Sequence, residues 1–466
     1  MRDLLLDLPS FAATGPSRAL DAALREAIRS GRLRGGTRLP STRALSAQLG
    51  VARSTVVGVY EQLVAEGFLV SRHGSGTTVS GIHVPIERLD DEAPRRDRFR
   101  VNFLPGEPDC GAFPRTQWLS SMRRVMATAP DELFGYGDPQ GVLELRRALA
   151  TYLGRARGVV ADASRIVVFG GLASAVGVLA ETFTSLSISR VAVEDPGMPF
   201  HRAILEQLGI TTVPVPVDAD GLRVDRLAAS DALAVVVSPA HQYPLGVTLA
   251  PDRRAELVAW ARERDGWIVE DDYDGEFRYD RQPVGAVQGL DPERVVYAGT
   301  ASKSLAPGLR VAWLALPPPL TRRVVTVRGL RAGASQLEQA ALADMIERGA
   351  FDAHMRRMRQ VYRRRRDHLI ERLRSEVPWL DVPGIAAGQH FTARLPEPIN
   401  EESLISRAAR AGIGLFGLAL HCIEPGPAGL VLGFSRPAQH SFTSAVDTLC
   451  EFLSGAAVSF ASIRGR

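Results

Sequence analysis

Lysine occurs once among the 466 residues, at Lys303, although lysine and arginine together number 56. Arginine stands wherever a simple cation suffices, so the position that keeps lysine is one where a guanidinium cannot serve. What lysine alone offers is a primary amine that can lose its proton and attack a carbonyl carbon, forming a Schiff base. Upstream, the apolar run GWIVEDDY ends in Glu270, Asp271 and Asp272, followed by Tyr273. Acids at the end of an apolar strand sit at the carboxyl edge of a sheet, where open α/β sheets bind ligands. A second run, RIVVFG, leads into Gly170-Gly171 and a helix beginning LASAVGVLAETF. A helix N-terminus behind a glycine turn presents free N–H groups and a positive dipole end to a phosphate. A third run, RVVYAGT, leads into Ser302-Lys303, with Arg310 shortly after. An amine for a carbonyl, a carboxylate for a ring nitrogen and a cradle for a phosphate together describe a pyridoxal phosphate site.

Those runs belong to a longer alternation. From Val101 onward RIVVFG, RVAVEDP, ALAVVVSP, GWIVEDDY and RVVYAGT are short and β-rich, and most precede an amphipathic stretch. This pattern predicts an α/β domain, a mostly parallel sheet wrapped by helices. After about Gln336 the character shifts to a long basic helix, DAHMRRMRQVYRRRRDHLIERL, and then to a Gly/Pro-rich segment ending in GLVLGFS. A smaller α+β lobe is expected from about residue 337. The arginines of RRMRQVYRRRRD are expected on a solvated helix face or a surface between subunits.

The front of the chain differs. Residues 1–80 hold ten arginines against six acids, and the remainder balances, so the net charge of +4 lies wholly in this segment. A nucleic-acid partner is therefore to be sought there. SRALDAALREAIRSGR over 17–32 reads as an amphipathic helix with Leu20, Leu24 and Ile28 on one face and Arg18, Arg25 and Arg32 in solvent. Ser41 is placed to cap a second helix carrying Leu45 and Leu49, which Gly50 ends. A third helix is expected from Arg53 to about Glu66, with Val56, Val59 and Leu63 inward. Two short helices joined through a glycine form a helix-turn-helix, and GFLVSRHGSGTTVS predicts a hairpin that would serve as a wing. Arg43, Arg53, Ser54 and Thr55 fall at the starts of the second and third helices, where such proteins approach base edges and phosphates. Residues 81–100 lack an apolar face and read as a solvated linker.

No uninterrupted apolar stretch is long enough to span a membrane, and no cleavable leader is evident, so a cytoplasmic location is expected. Cys110, Cys422 and Cys450 are odd in number and far apart, which argues against a disulfide framework or a thiolate metal site. No metal is expected.

Taken together, LPSTRALSAQLGVARSTVVGVYEQLVAEGFL, FLPGEPD with FPRTQW, YGDPQGVLELRRALATYLGRARGV, SPAHQYPLG, VEDDYDGEFRYD, GTASKSLAPGLR and HMRRMRQVYRRRRD resemble the MocR/GabR subfamily of GntR-type regulators. Their order and spacing cover nearly the whole chain. The resemblance implies a multidomain protein: an α+β winged helix-turn-helix over 1–80, a linker over 81–100, and a fold-type I, class I/II aminotransferase-like domain over 101–466. It implies that Lys303 holds pyridoxal phosphate as a Schiff base, that Asp271 pairs with its ring nitrogen, and that Tyr273 stands near the ring hydroxyl. Thr300, Ser302 and Arg310 are implied as phosphate ligands, with Gly171, Leu172 and Ala173 giving backbone N–H groups. Tyr243 lies in the loop passing the ring, with His241 and Gln242, and Tyr136 is implied to reach the cofactor of a second subunit in a homodimer. His73-Gly74 at the hairpin tip resembles a wing that enters the minor groove. Two departures stand out. Met198 in EDPGMPF occupies the place of a ring-stacking aromatic, with Phe200 nearby. Leu430 falls where enzymes of this fold place an arginine for a substrate carboxylate, and none follows until Arg436. The implied function is a bacterial promoter-binding regulator that senses pyridoxal phosphate, alone or with an amine effector. The alternative is an active aminotransferase carrying a DNA-binding module.

Overall fold

The computed structural model describes residues 15–72, 76–81, 99–280, 284–329, 331, 333–382 and 386–464. His73 and Gly74, and most of the stretch over 81–100, lie outside the described residues. The chain divides into two compact units between Arg96 and Asp97.

In the first unit the helix Pro16–Arg29 buries Leu20, Leu24 and Ile28, the stripe its 3.6-residue period places on one side. Ser41 caps Thr42–Leu49, its hydroxyl accepting the Ala44 N–H at 3.2 Å. The helix Arg53–Ala65 buries Val56, Val59, Tyr60 and Leu63. Strands Leu69–Arg72 and Gly76–Val79 pair antiparallel with Leu69 opposite Val79, and these two join Phe68 in the same core. Arg25 departs from the expected solvated face. Its guanidinium bonds Asp21 at 2.7 Å and Glu66 at 2.8 Å and lies over the Phe68 ring, tying the first helix to the end of the third.

The second unit is built on an eight-stranded sheet. Its order runs Ile166–Phe169, Ala312–Ala315, Val295–Thr300, Trp267–Asp271, Ala234–Val237, Arg190–Asp195, Thr211–Asp218 and Gly221–Leu222. Neighbours from Val295–Thr300 to Thr211–Asp218 are parallel, and Ala312–Ala315 is antiparallel to both its partners. The buried aliphatic runs read from the sequence all lie in this sheet. Thr211–Asp218 escapes such a reading because Pro214 and Pro216 interrupt it. A strand carrying proline is tolerated near a sheet edge, where the missing N–H faces no neighbour. Only Val217 and Asp218 pair on its outer side.

A second, antiparallel sheet joins His390–Arg394, Gly429–Gly433 and Phe416–Gly417. The helix Ala350–Glu376 carries the arginine-rich run and packs Met355, Met358, Tyr362, Leu369 and Leu373 inward at three- and four-residue spacing. Arg365 falls on that buried stripe rather than in solvent. It donates to Asp109 Oδ2 at 2.6 Å and to the Ser435 carbonyl at 2.7 Å. No helix among the described residues is long and apolar enough to cross a membrane.

Candidate functional site

The carboxyl ends of the parallel strands converge on a cavity of about 300 Å³ in the second unit. Its lining includes Leu172, Ala173, Met198, Tyr243, Asp271, Tyr273, Thr300, Ser302, Lys303 and Arg310, brought together from six separate loops and strand ends. Pro105, Gly106, Phe200, Gln389 and His390 complete it. Tyr136 is fully exposed and is absent from this lining.

The three consecutive acids of GWIVEDDY have different fates. Glu270 accepts the N–H groups of Val287 and Gln288, each at 2.9 Å. Asp272 accepts two bonds from Arg157, at 2.6 and 2.9 Å, and a third from the Tyr297 hydroxyl at 2.8 Å. Both are structural. Asp271 between them is buried, and neither of its oxygens has a hydrogen-bond partner. Burial pushes its pKa up to about 8, with Lys303 pulling the other way. An unpartnered buried carboxyl costs free energy, so its persistence in a cavity wall marks a group awaiting a partner. His201 stands behind it, Nε2 3.4 Å from Asp271 Oδ2, and burial holds that imidazole neutral with a pKa of about 4.

Lys303 lies in the single turn Ala301–Ser304 that follows the strand Val295–Thr300. Its Nζ donates to the Gly106 carbonyl, and burial lowers its pKa from the ordinary lysine value, enlarging the neutral, nucleophilic fraction. Gln389 donates to the Lys303 carbonyl at 2.8 Å and fixes the turn. Thr300 and Ser302 bond each other through their hydroxyls at 3.0 Å.

Gly171 precedes the helix Leu172–Ser185 with φ of 109°, a conformation side chains rarely adopt. A Cβ there would lie 2.6 Å from an Arg310 nitrogen, so the guanidinium packs directly on the glycine. Arg310 is exposed, and no carboxylate among the described residues pairs with it. A free guanidinium over a helix N-terminus forms an anion cradle.

Met198 and Phe200 both line the cavity, at the start of the helix Pro199–Gln207. Leu430 is wholly buried in its strand, paired with Ala393 and Gly417, and Arg436 is engaged with Glu107 at 3.2 Å. Gln389 and His390 were not evident from sequence, because they arrive on a segment far along the chain with no motif of their own.

In the first unit Arg43, Arg53 and Ser54 are exposed and Thr55 is half-buried. Arg53 is the first residue of its helix, and Arg43 lies in the first turn of the one before. Neither arginine has an ion-pair partner among the described residues.

A helix-turn-helix with a wing, joined to an aminotransferase-like sheet whose edge holds one lysine and one unpartnered aspartate, defines a two-part regulator class. Residues 16–79 match the gntR family of bacterial regulatory proteins, and residues 101–391 match the aminotransferase class I and II family. The HTH-type transcriptional regulator YdeL of Bacillus subtilis is 32% identical over 95% of this chain and 96% of its own. The HTH-type pyridoxine biosynthesis transcriptional regulator PdxR of Corynebacterium glutamicum is 33% identical over 93% and 95%. The probable rhizopine catabolism regulatory protein MocR of Rhizobium meliloti is 34% identical over 90% of both. Among solved structures, an archaeal alanine:glyoxylate aminotransferase superposes with a TM-score of 0.70 at 24% identity, covering 76% of this chain and 91% of that one. The chain belongs to the family of HTH-type transcriptional regulators that join a gntR-family domain to an aminotransferase class I and II domain. That fold takes pyridoxal phosphate, and the residues present fit it. An orphaned buried carboxyl suits the ring nitrogen, a glycine-backed anion cradle suits the phosphate, and a lone amine stands in the same cavity.

Proposed function

We propose that this protein is a bacterial promoter-binding regulator whose aminotransferase-like domain binds pyridoxal phosphate through Lys303 as an effector-sensing module. The observation that carries the reading is the presence of the chain's sole lysine and the unpartnered Asp271 in one cavity, in a chain that also carries a gntR-family domain. Pyridoxal phosphate, when bound, supplies an aldehyde carbon open to amine attack and an electron-withdrawing ring. Lys303 offers the amine, with its proton affinity lowered by burial. Asp271 offers a carboxylate whose raised pKa falls once a cationic ring nitrogen faces it. Arg310, Thr300, Ser302 and the N–H groups of Leu172 and Ala173 offer charge and donors to the phosphate. Met198 offers a polarisable thioether against a ring face.

Exposed apolar side chains support a homodimer. Leu119, Met126, Phe134 and Tyr136 are exposed apolar side chains within one stretch of the second unit. A second copy would cover them and bring Tyr136 toward its partner's cavity. Paired half-sites on promoter DNA suit such a two-fold assembly. Arg53 suits guanine edges, and Arg43, Ser54 and Thr55 suit phosphate or base. His73 and Gly74 are assigned to the wing on the resemblance alone.

Lys303 and Asp271 would serve transamination equally, so an active aminotransferase is the second reading. Against it, Leu430 is sealed in the core and Arg436 is occupied by Glu107, leaving Arg310 and Lys303 as the cationic side chains of the lining. A substrate carboxylate would lose its hydration without gaining a bidentate partner. Slow single-turnover conversion of bound cofactor by a panel of α-amino acids is expected. Conversion near the roughly 10 per second typical of enzymes would favour the second reading. The binding claim itself is tested by borohydride reduction with pyridoxal phosphate, followed by peptide mass analysis. A single modified internal residue, Lys303, is expected, and an unmodified Lys303 peptide contradicts it.

A further inference from the structure

Behind Tyr273 lies a buried polar group that the site described so far leaves unused. His241 Nδ1 stands 3.0 Å from Asp274 Oδ2 and 3.1 Å from the Tyr273 hydroxyl oxygen. Tyr273 in turn donates to the His241 carbonyl at 3.0 Å. All three side chains are buried. The hydrogen-bond pattern sets the tautomer. A carboxylate can only accept, so Nδ1 carries the proton and faces Asp274 with the phenol oxygen beside it.

The ring is also held mechanically. Gly388 has φ of 71°, and a Cβ there would overlap the His241 ring, so the segment entering His390–Arg394 closes directly onto the imidazole. His390 packs beside it, ring centroids 4.9 Å apart, with its own Nε2 3.2 Å from the Pro244 carbonyl. A histidine locked by packing and by a carboxylate is the arrangement that fixes one donor direction.

We infer that Asp274 and His241 are positioning residues that act through Tyr273: they hold its phenol at the cavity wall and strengthen it as a donor once its one proton turns from the His241 carbonyl to a ring oxygen. This rests on the proposed binding of pyridoxal phosphate, whose ring oxygen is the acceptor in question. The Nδ1–H, shared between Asp274 and the phenol oxygen, polarises the hydroxyl, and hydrogen bonds in such chains reinforce one another in a low-dielectric interior. A stronger donor stabilises negative charge on the ring oxygen. The loaded site therefore loses its proton at lower pH than it would with Tyr273 alone. The other ionisable groups around this relay are Asp271, Glu194, Tyr243, His390, His421 and Lys303. Burial holds His390 and His421 neutral, so neither supplies a competing positive charge.

The readout is the pH midpoint of the visible absorbance change in full-length protein loaded with pyridoxal phosphate. His241→Leu is expected to raise that midpoint by about one unit, the scale of a single lost hydrogen bond to a charged form. His241→Asn keeps a nitrogen donor near the Nδ1 position and is expected to retain the wild-type midpoint. In a Tyr273→Phe background, His241→Leu should add no further shift, because the relay has lost its outlet. A midpoint unchanged in His241→Leu, or a full additional shift in the Tyr273→Phe background, would overturn the relay. If His241→Leu fails to fold, His241→Asn decides the matter: a shift of a unit or more contradicts the assignment. His241, Asp274 and His390 also offer ligand atoms within 4.8 Å of one another. A midpoint that moves on adding Zn²⁺ and returns with chelator would assign the cluster to a cation instead. A wild-type protein with no visible band contradicts the proposed function rather than the relay.

Discussion

In the first unit Arg43, Arg53 and Ser54 stand exposed over a core of Leu20, Leu24, Leu45, Val56 and Leu63. In the second, Lys303, Asp271, Tyr273 and Tyr243 line a cavity, and most charges near it are already paired. A surface that meets a polyanion needs only clustered cations held at a fixed angle, and exposed arginines do this without desolvation. A cavity that holds a small molecule must choose which polar groups stay unsatisfied, because each one costs free energy until its ligand arrives. The first kind of site is made by excess, the second by a selected deficit.

The largest expected effect tests whether the two regions are separable. Deleting residues 1–80 should abolish specific promoter binding, a loss of at least about 10³-fold given the usual gap to non-specific affinity. Pyridoxal phosphate should still label Lys303 in the remaining chain, as borohydride trapping will report. Specific DNA binding by the shortened protein would break the division.

Asp271→Asn sharpens the idea of a selected deficit. The folded pKa of about 8 lies above the ordinary aspartate value of 3.8, so the folded, cofactor-free protein binds the extra proton. Stability contributed by the protonated carboxyl is present below 3.8 and is lost as pH rises toward about 8. The asparagine variant should therefore be more stable than wild type at pH 8, by about 1–3 kcal/mol, with the gap closing in acid. Urea titrations across that range measure it. The same variant should bind pyridoxal phosphate more weakly, and a variant that is less stable and binds equally well would contradict the assignment.

Arg53→Ala should weaken promoter binding by about 1–3 kcal/mol if its fork reads a guanine. Competition binding across single-base operator variants separates this from a phosphate contact, which would lower affinity uniformly and flatten the salt dependence. Ser41→Ala, the smallest effect, should cost about 1 kcal/mol through the lost N-cap, seen in denaturation of the first unit and absent from cofactor binding.

Much of this was legible from residue order. The lone lysine, the strand-end acids and the glycine turn are local signals, and their elements formed where the hydrophobic periods placed them. What stayed hidden depends on pairing across long separations. Strand alternation sets Asp271 on the face opposite Glu270 and Asp272, but it does not say which of the three carboxyls stays unpaired. The difference lies in Arg157, Tyr297 and the Val287–Gln288 backbone, all remote in sequence. Arg365 and Arg25 looked like surface charges because a charge run masks the one position per stripe that turns inward. Gln389, His390 and the Gly388 contact on His241 come from the second sheet folding back over the first, which no short motif encodes.

An effector-sensing module must communicate occupancy of the cavity at Lys303 to DNA binding. The direct measurement is promoter affinity of the full chain, at fixed salt, with and without saturating pyridoxal phosphate, for wild type and Lys303→Ala. A coupling of about 1–3 kcal/mol, or roughly 5- to 150-fold in affinity, is expected in wild type and should vanish in the variant. Equal promoter affinity with and without the cofactor in wild type, or the same change in Lys303→Ala, would contradict it.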